Sequence, residues 1–267
     1  MSGRGIRQNA KHGSRRWQSG VYGNVCRSLT LVFLQLLLLQ ALPGKPPVLK
    51  DQRFLSPPSR IIRACCTFGV DLKMARMPFV TRTDVIERDA LGRHHFLGGH
   101  SEGNGIIYTR RGGFIDIGHL RDIADWTAYL FHLVNFSADS GESWIWPLGS
   151  DGGEKSLRLA IPAEMDLETR AQLAGAIAYD LALWHEMATW FGASTIPLLP
   201  ERYSSFSPED LYSNLLGAQL GIRAILSELD YEEAMTLYLL EILENLEAVP
   251  SVEATRLAME SVEGVWW

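Results

Sequence analysis

Histidine beside glutamate in an apolar helix is a pairing that hydrolytic chemistry uses. The stretch LALWHEMATWFG offers His185 and Glu186 in that arrangement. In zinc hydrolases two histidines one helical turn apart hold the metal and the glutamate acts as base. Here the position one turn beyond His185 is Thr189, whose hydroxyl is a poor zinc ligand, so the strict motif fails. A second imidazole from a facing helix would restore the ligand set. His119 is the candidate, which makes His119 and His185 the expected ligands of a divalent metal such as zinc. Without metal, Glu186 is still a carboxylate in an almost wholly apolar helix. Such a group is costly unless paired, so it is either a general base or a buried structural partner.

His119 brings neighbours of its own. Asp122 follows it at the three-residue spacing that puts both on one helix face, fit to orient an imidazole or share its metal. The plainer reading is an ordinary Arg121–Asp125 pair, with Asp116 capping the helix start. A third block, ERYSSFSPEDLYSN, gathers polar residues around another helix start, and Glu209 and Asn214 are its candidates for lining a site. Asp210 there reads as a capping-box residue answering Ser207. The loop RHHFLGGHSEGNG adds His94, His95, His100 and Glu102, and reads as a turn-rich surface loop. Adjacent histidines on an extended strand face opposite ways, so His94 and His95 cannot both enter one site. No G-x-S-x-G elbow and no phosphate-binding G-x-x-x-x-G-K-[ST] loop occurs.

The elements that must position these groups are mostly helices. Apolar residues recur at helical spacing from Asp116 to Val134. DLETRAQLAGAIAYDLALWHEMATWFG can run from an Asp166 cap to a Gly192 stop. SPEDLYSNLLGAQLGIRAIL opens with Ser207 as cap and Pro208 in the first helical position. Two amphipathic stretches, YEEAMTLYLLEILENLEAV and SVEATRLAMESVE, complete the set. Two hairpins are expected, one turning at Arg111-Gly112-Gly113 and one at Asp151-Gly152-Gly153. The fold class is therefore α+β, mainly α-helical: several packed amphipathic helices with small antiparallel β-hairpins.

The N-terminus differs in character. Residues 1–44 carry basic residues but no acid, then the apolar run LTLVFLQLLLLQAL. That run is shorter than the roughly 20 residues a membrane helix needs. It reads as a signal peptide or an N-terminal membrane anchor. Residues 45–60 form a Pro-rich linker, and residues 61–267 one globular domain. The location implied is the cell envelope, either exported to the periplasm or anchored to the inner membrane, with membrane association through the apolar segment if it is not cleaved. Six of 25 basic residues but none of 31 acids lie in 1–44, so the remainder has a net charge of −12. Such a chain lacks the basic face that nucleic acid requires. Cys65 and Cys66 are adjacent, which disfavours a disulfide between them. The chain ends in GVWW, two tryptophans that are expected to dock back or to mark a shortened chain.

The blocks CCTFGVDL, GNGIIYTRRGGFIDIGHLRDIADWTAYL, LALWHEMATWFG and ERYSSFSPEDLYSNLLG resemble the uncharacterised bacterial family catalogued as domain of unknown function 4056. The resemblance covers Ile61 to the C-terminus and implies a bacterial, envelope-facing protein with no catalytic residue to carry over. The residues point to a hydrolase with a site between two helices. His119 and His185 would be ligands or bases, Glu186 and Asp122 base and orienter, and Glu209 and Asn214 the far wall. The rival is a non-catalytic binding or scaffold protein whose His, Glu and Asp residues are buried structural partners. Substrate and reaction are not written in the chain.

Overall fold

A computed structural model describes Pro57, Pro58, Arg63, Phe68 and residues 85–149, 153–195 and 207–266. The leader, Cys65, Cys66, the stretch 196–206 and Trp267 lie outside the described residues. By compactness the chain divides after Pro43, and everything described belongs to the second unit.

A hairpin of β1 (Ile106–Thr109) and β2 (Gly113–Asp116) leads straight into helix α1 (Ile117–Ser140). Its strands are antiparallel, with Ile107 opposite Ile115 and Tyr108 opposite Phe114. Gly113 adopts φ 72°, which is why glycine closes this turn. A second antiparallel hairpin, β3 (Trp144–Gly149) and β4 (Lys155–Leu159), follows α1. Then come α2 (Leu167–Thr195), α3 (Pro208–Ile225), α4 (Tyr231–Asn245) and α5 (Val252–Glu260). The architecture is mainly helical α+β with two small antiparallel sheets, as the periodicity implies. No described helix is long and apolar enough to cross a membrane.

Four starts carry side-chain caps. Asp116 accepts from His119 N, Asp230 from Glu232 N and Ser251 from Ala254 N. Asp166 accepts from Thr169 N at 2.8 Å, as expected for α2. The other end of α2 departs from expectation: the helix runs through Gly192 to Thr195. Glycine weakens a helix but does not end one.

Helix α1 is the centre. It is buried around nearly its whole circumference, so it is a core helix rather than an amphipathic one. Helix α3 lies along it. A methyl on Gly217 would sit 2.2 Å from the Leu120 carbonyl oxygen, and one on Gly221 would be 3.0 Å from Ala124 Cα. The two glycines let the helix backbones nearly touch. The matched pairs also show that α1 and α3 run in the same direction. Helix α2 presents a stripe of buried alanines, Ala171, Ala174, Ala178 and Ala182. Arg170 near its start bonds Asn135 near the end of α1 at 3.0 Å, so α2 runs back against α1.

The main core joins these helices to α4 and to one face of the first hairpin, through Ile107 and Ile115. Phe68, Ile106, Phe114 and Met259 form a second cluster, with Trp266 packed on it. Trp266 thus docks back, its ring 5.5 Å from both Phe68 and Phe114.

Candidate functional site

Two helix starts meet where α1 and α3 begin. Asp116 caps α1 through one oxygen, accepting from His119 N at 3.1 Å. Its other oxygen, Oδ2, is buried without a hydrogen-bond partner and lies 3.9 Å from His119 Nδ1. From α3, Asp210 Oδ1 reaches the same Nδ1 at 2.7 Å. Asp116 N donates to Ser213 Oγ at 2.8 Å, one turn further along α3, which ties the two starts together. The close approach at Gly217 makes these bonds possible.

Asp116, His119 and Asp210 can each offer one atom to a common point, with all three atoms within 4.8 Å of one another. Glu209 stands next to Asp210, buried, with its Oε2 unpartnered. Burial, with Asp210 and Asp116 nearby, pushes its carboxyl up to about 7. Burial also raises Asp116, and His119 offsets part of that rise. Asn214 is buried on the same helix.

The capping box at α3 does not form. Ser207 occupies the cap position without a side-chain cap bond. Asp210, expected to answer it, is turned toward His119 instead.

Asp122, one turn beyond His119, belongs to a second cluster. Arg63 Nη1 donates to Asp122 Oδ1 at 2.7 Å and to Asp125 Oδ2 at 3.0 Å. The same guanidinium grips Glu102 through Nε at 2.7 Å and Nη2 at 3.0 Å. His94 Nε2 and Tyr231 Oη each lie 3.0 Å from Asp125 Oδ1. Burial would lower the Arg63 pKa, but the three carboxylates outweigh it and hold it above the usual arginine range. Burial pushes Asp122 up to about 7 even so. It pushes Glu102 up as well, but Arg63 wins there and keeps that carboxyl below its ordinary value.

This cluster corrects two expectations. The 91–105 loop is not a plain surface loop, because the side chains of His94 and Glu102 are buried in the network. His94 and His95 do face opposite ways, and His95 stays partly exposed beside Glu232. Arg121 does not make the expected bond to Asp125. It donates to the carbonyls of Leu91 and Gly103 and to Asn104 Oδ1, so it pins the loop.

Glu186 takes the next step of the alanine stripe after Ala182, and it too is buried. Helix geometry gives its direction. Gly175 lies against Ile222 and Ala218 of α3. Eleven residues later α2 has advanced about 16 Å back toward the start of α3. That rise carries Glu186 along α2 toward the end of α3 that bears Glu209 and Asp210, with His185 beside it, half-buried. His185 is not a member of the three-residue ligand group.

Sequence reasoning treated Asp116 and Asp210 only as caps and did not consider Arg63. The signal for Asp116 was present, since Asp-x-x-His puts both groups on one helix face. Nothing local marked Asp210 as the partner of a histidine 91 positions away.

The family described as "Protein of unknown function (DUF4056)" matches residues 52–267. The chain belongs to this family. No curated protein and no solved structure matches it. Membership in DUF4056 brings no activity, so function rests on the chemistry of the chain itself.

Proposed function

We propose that the protein is a hydrolase of the cell envelope whose working groups surround His119 at the shared start of α1 and α3. The observation that carries this reading is the convergence of His119, Asp116 and Asp210 with an unpartnered, buried carboxylate oxygen among them. Structural carboxylates are held by donors. An imidazole hydrogen-bonded to a carboxylate is the usual acid–base unit, and Glu209 is the second carboxylate beside it. Asn214 lies a turn beyond Asp210 on α3, and in this proposal Glu186 and His185 of α2 are further groups of the site. The envelope location rests on the basic and apolar N-terminal run, and the acidic balance of the rest argues against a nucleic-acid partner.

A specific observation favours the scaffold reading for the other cluster. Asp122, Asp125 and Glu102 are all engaged by Arg63, as buried structural partners are. The two readings separate by experiment. The purified protein is assayed against chromogenic esters, amides, phosphoesters and glycosides, alongside His119→Ala. Hydrolysis that disappears in a variant of unchanged melting temperature supports the enzyme. Absence of turnover on every class, with His119→Ala altering stability alone, leaves the scaffold.

A further inference from the structure

We infer that Asp116, His119 and Asp210 are three ligands of one divalent cation, with the remaining coordination positions left to water or substrate. The inference shares its site with the hydrolase reading but concerns binding, and it can stand or fall alone.

Charge is the first argument. Asp116, Glu209 and Asp210 lie together, all buried, with His119 as the basic side chain among them. Among the described residues, no arginine or lysine makes an ion pair with any of the three carboxylates. The two helix starts supply roughly half a positive charge each. That does not balance three carboxylates, whereas a divalent cation would.

Geometry is the second. Asp116 Oδ2 has no partner in a place where water does not reach it, and it is aimed at the atom that Asp210 also approaches. Metal–ligand bonds of roughly 2.0–2.2 Å put neighbouring ligand atoms about 3 Å apart. The Nδ1–Oδ1 and Nδ1–Oδ2 separations of 2.7 and 3.9 Å bracket that value, and a cation taking the Nδ1 lone pair would replace the hydrogen bond from His119 to Asp210. Glu209 Oε2, also unpartnered, belongs to the residue next to Asp210 in the chain.

The donor set decides the class of metal. One imidazole nitrogen and two carboxylates, without thiolate, suit zinc, manganese or ferrous iron better than the soft cations. Three protein ligands are the number found where a metal keeps positions open for reaction.

The test uses the full-length protein, stripped with chelator and titrated separately with zinc, manganese and cobalt(II) chloride. Calorimetry reads stoichiometry and affinity, and the visible spectrum of cobalt reads the nitrogen and oxygen donors. One equivalent of at least one metal should bind tighter than about 10 µM. His119→Gln and Asp210→Asn should each weaken it on the order of 100-fold. His95→Gln should leave it unchanged. If a ligand variant fails to fold, the melting temperature of the unaltered protein must still rise on adding the metal. Absence of binding by all three metals overturns the inference, as does binding unaffected by Asp210→Asn in a folded variant. Turnover in a protein that binds none of the three metals overturns the metal and leaves the hydrolase standing. Metal binding without turnover on any substrate does the reverse.

Discussion

A buried carboxylate is stable only as long as something holds its charge, and Glu102 shows what that means for pH. Arg63 grips both of its oxygens, and His95 N donates to Oε1 at 2.7 Å. Its folded pKa is therefore below 4.5, the ordinary value. A depressed acid contributes stability that is present above its unfolded pKa and is lost as pH falls through the folded one. The protein should lose stability on acidification below about pH 4.5, with Asp125, depressed in the same sense, adding to the loss. Glu102→Gln leaves part of the Arg63 charge uncompensated and should cost about 3 kcal/mol at pH 7. The gap to the unaltered protein should narrow as pH falls toward 3. Denaturant melts at pH 7, 5 and 3 read this directly, and a gap that stays constant would contradict the assignment. None of this was visible along the chain. Arg63 and Glu102 are 39 positions apart, and the histidine-rich loop that carries Glu102 has a composition no different from a surface turn.

At the scale of elements, the site depends on how closely α1 and α3 approach. Hydrophobic period and turn residues were enough to find both hairpins and all five described helices. They could not show that Gly217 and Gly221 are contact residues, because a glycine in a helix looks the same whether it faces solvent or a backbone. The distinction is testable by adding one methyl group at a time. In Gly217→Ala the methyl meets the Leu120 backbone, which cannot turn aside. Overpacking of this kind costs about 1–3 kcal/mol, and it should also draw Asp210 away from His119. Gly175→Ala meets Ile222 Cδ1, the far end of a side chain that can rotate. Its cost should be offset by the helix preference for alanine, about 1 kcal/mol. Equilibrium unfolding should therefore separate the two variants, with Gly217→Ala the less stable and the one in which any turnover or metal affinity falls. Equal stabilities would mean that the helices are not held at this distance by the glycine.

For the whole described domain, the question is whether stability and site can be separated. The first hairpin is sandwiched. Ile107 and Ile115 enter the main core, while Ile106 and Phe114 enter the second cluster with Phe68, Met259 and Trp266. That two-sidedness follows from strand alternation. What covers the second face did not, since α5 and Trp266 return to it from more than a hundred residues downstream. Asp116 is the last residue of the same hairpin, opposite Ile106, and its N–H bond to Ser213 Oγ and its cap on α1 tie it to both helices as well. Met259 is fully buried in the second cluster. Met259→Ala should cost about 2–5 kcal/mol through the cavity it leaves, while metal affinity and any turnover stay at the level of the unaltered protein. Ser213→Ala should do the opposite. It leaves Asp116 N without its acceptor, a loss of about 1 kcal/mol, and it should weaken the site more than it weakens the fold. The pair is measured by denaturant unfolding and by cobalt titration of the same samples. A drop in cobalt affinity in Met259→Ala as large as that in Ser213→Ala would show that the hairpin, and not α3, sets Asp116.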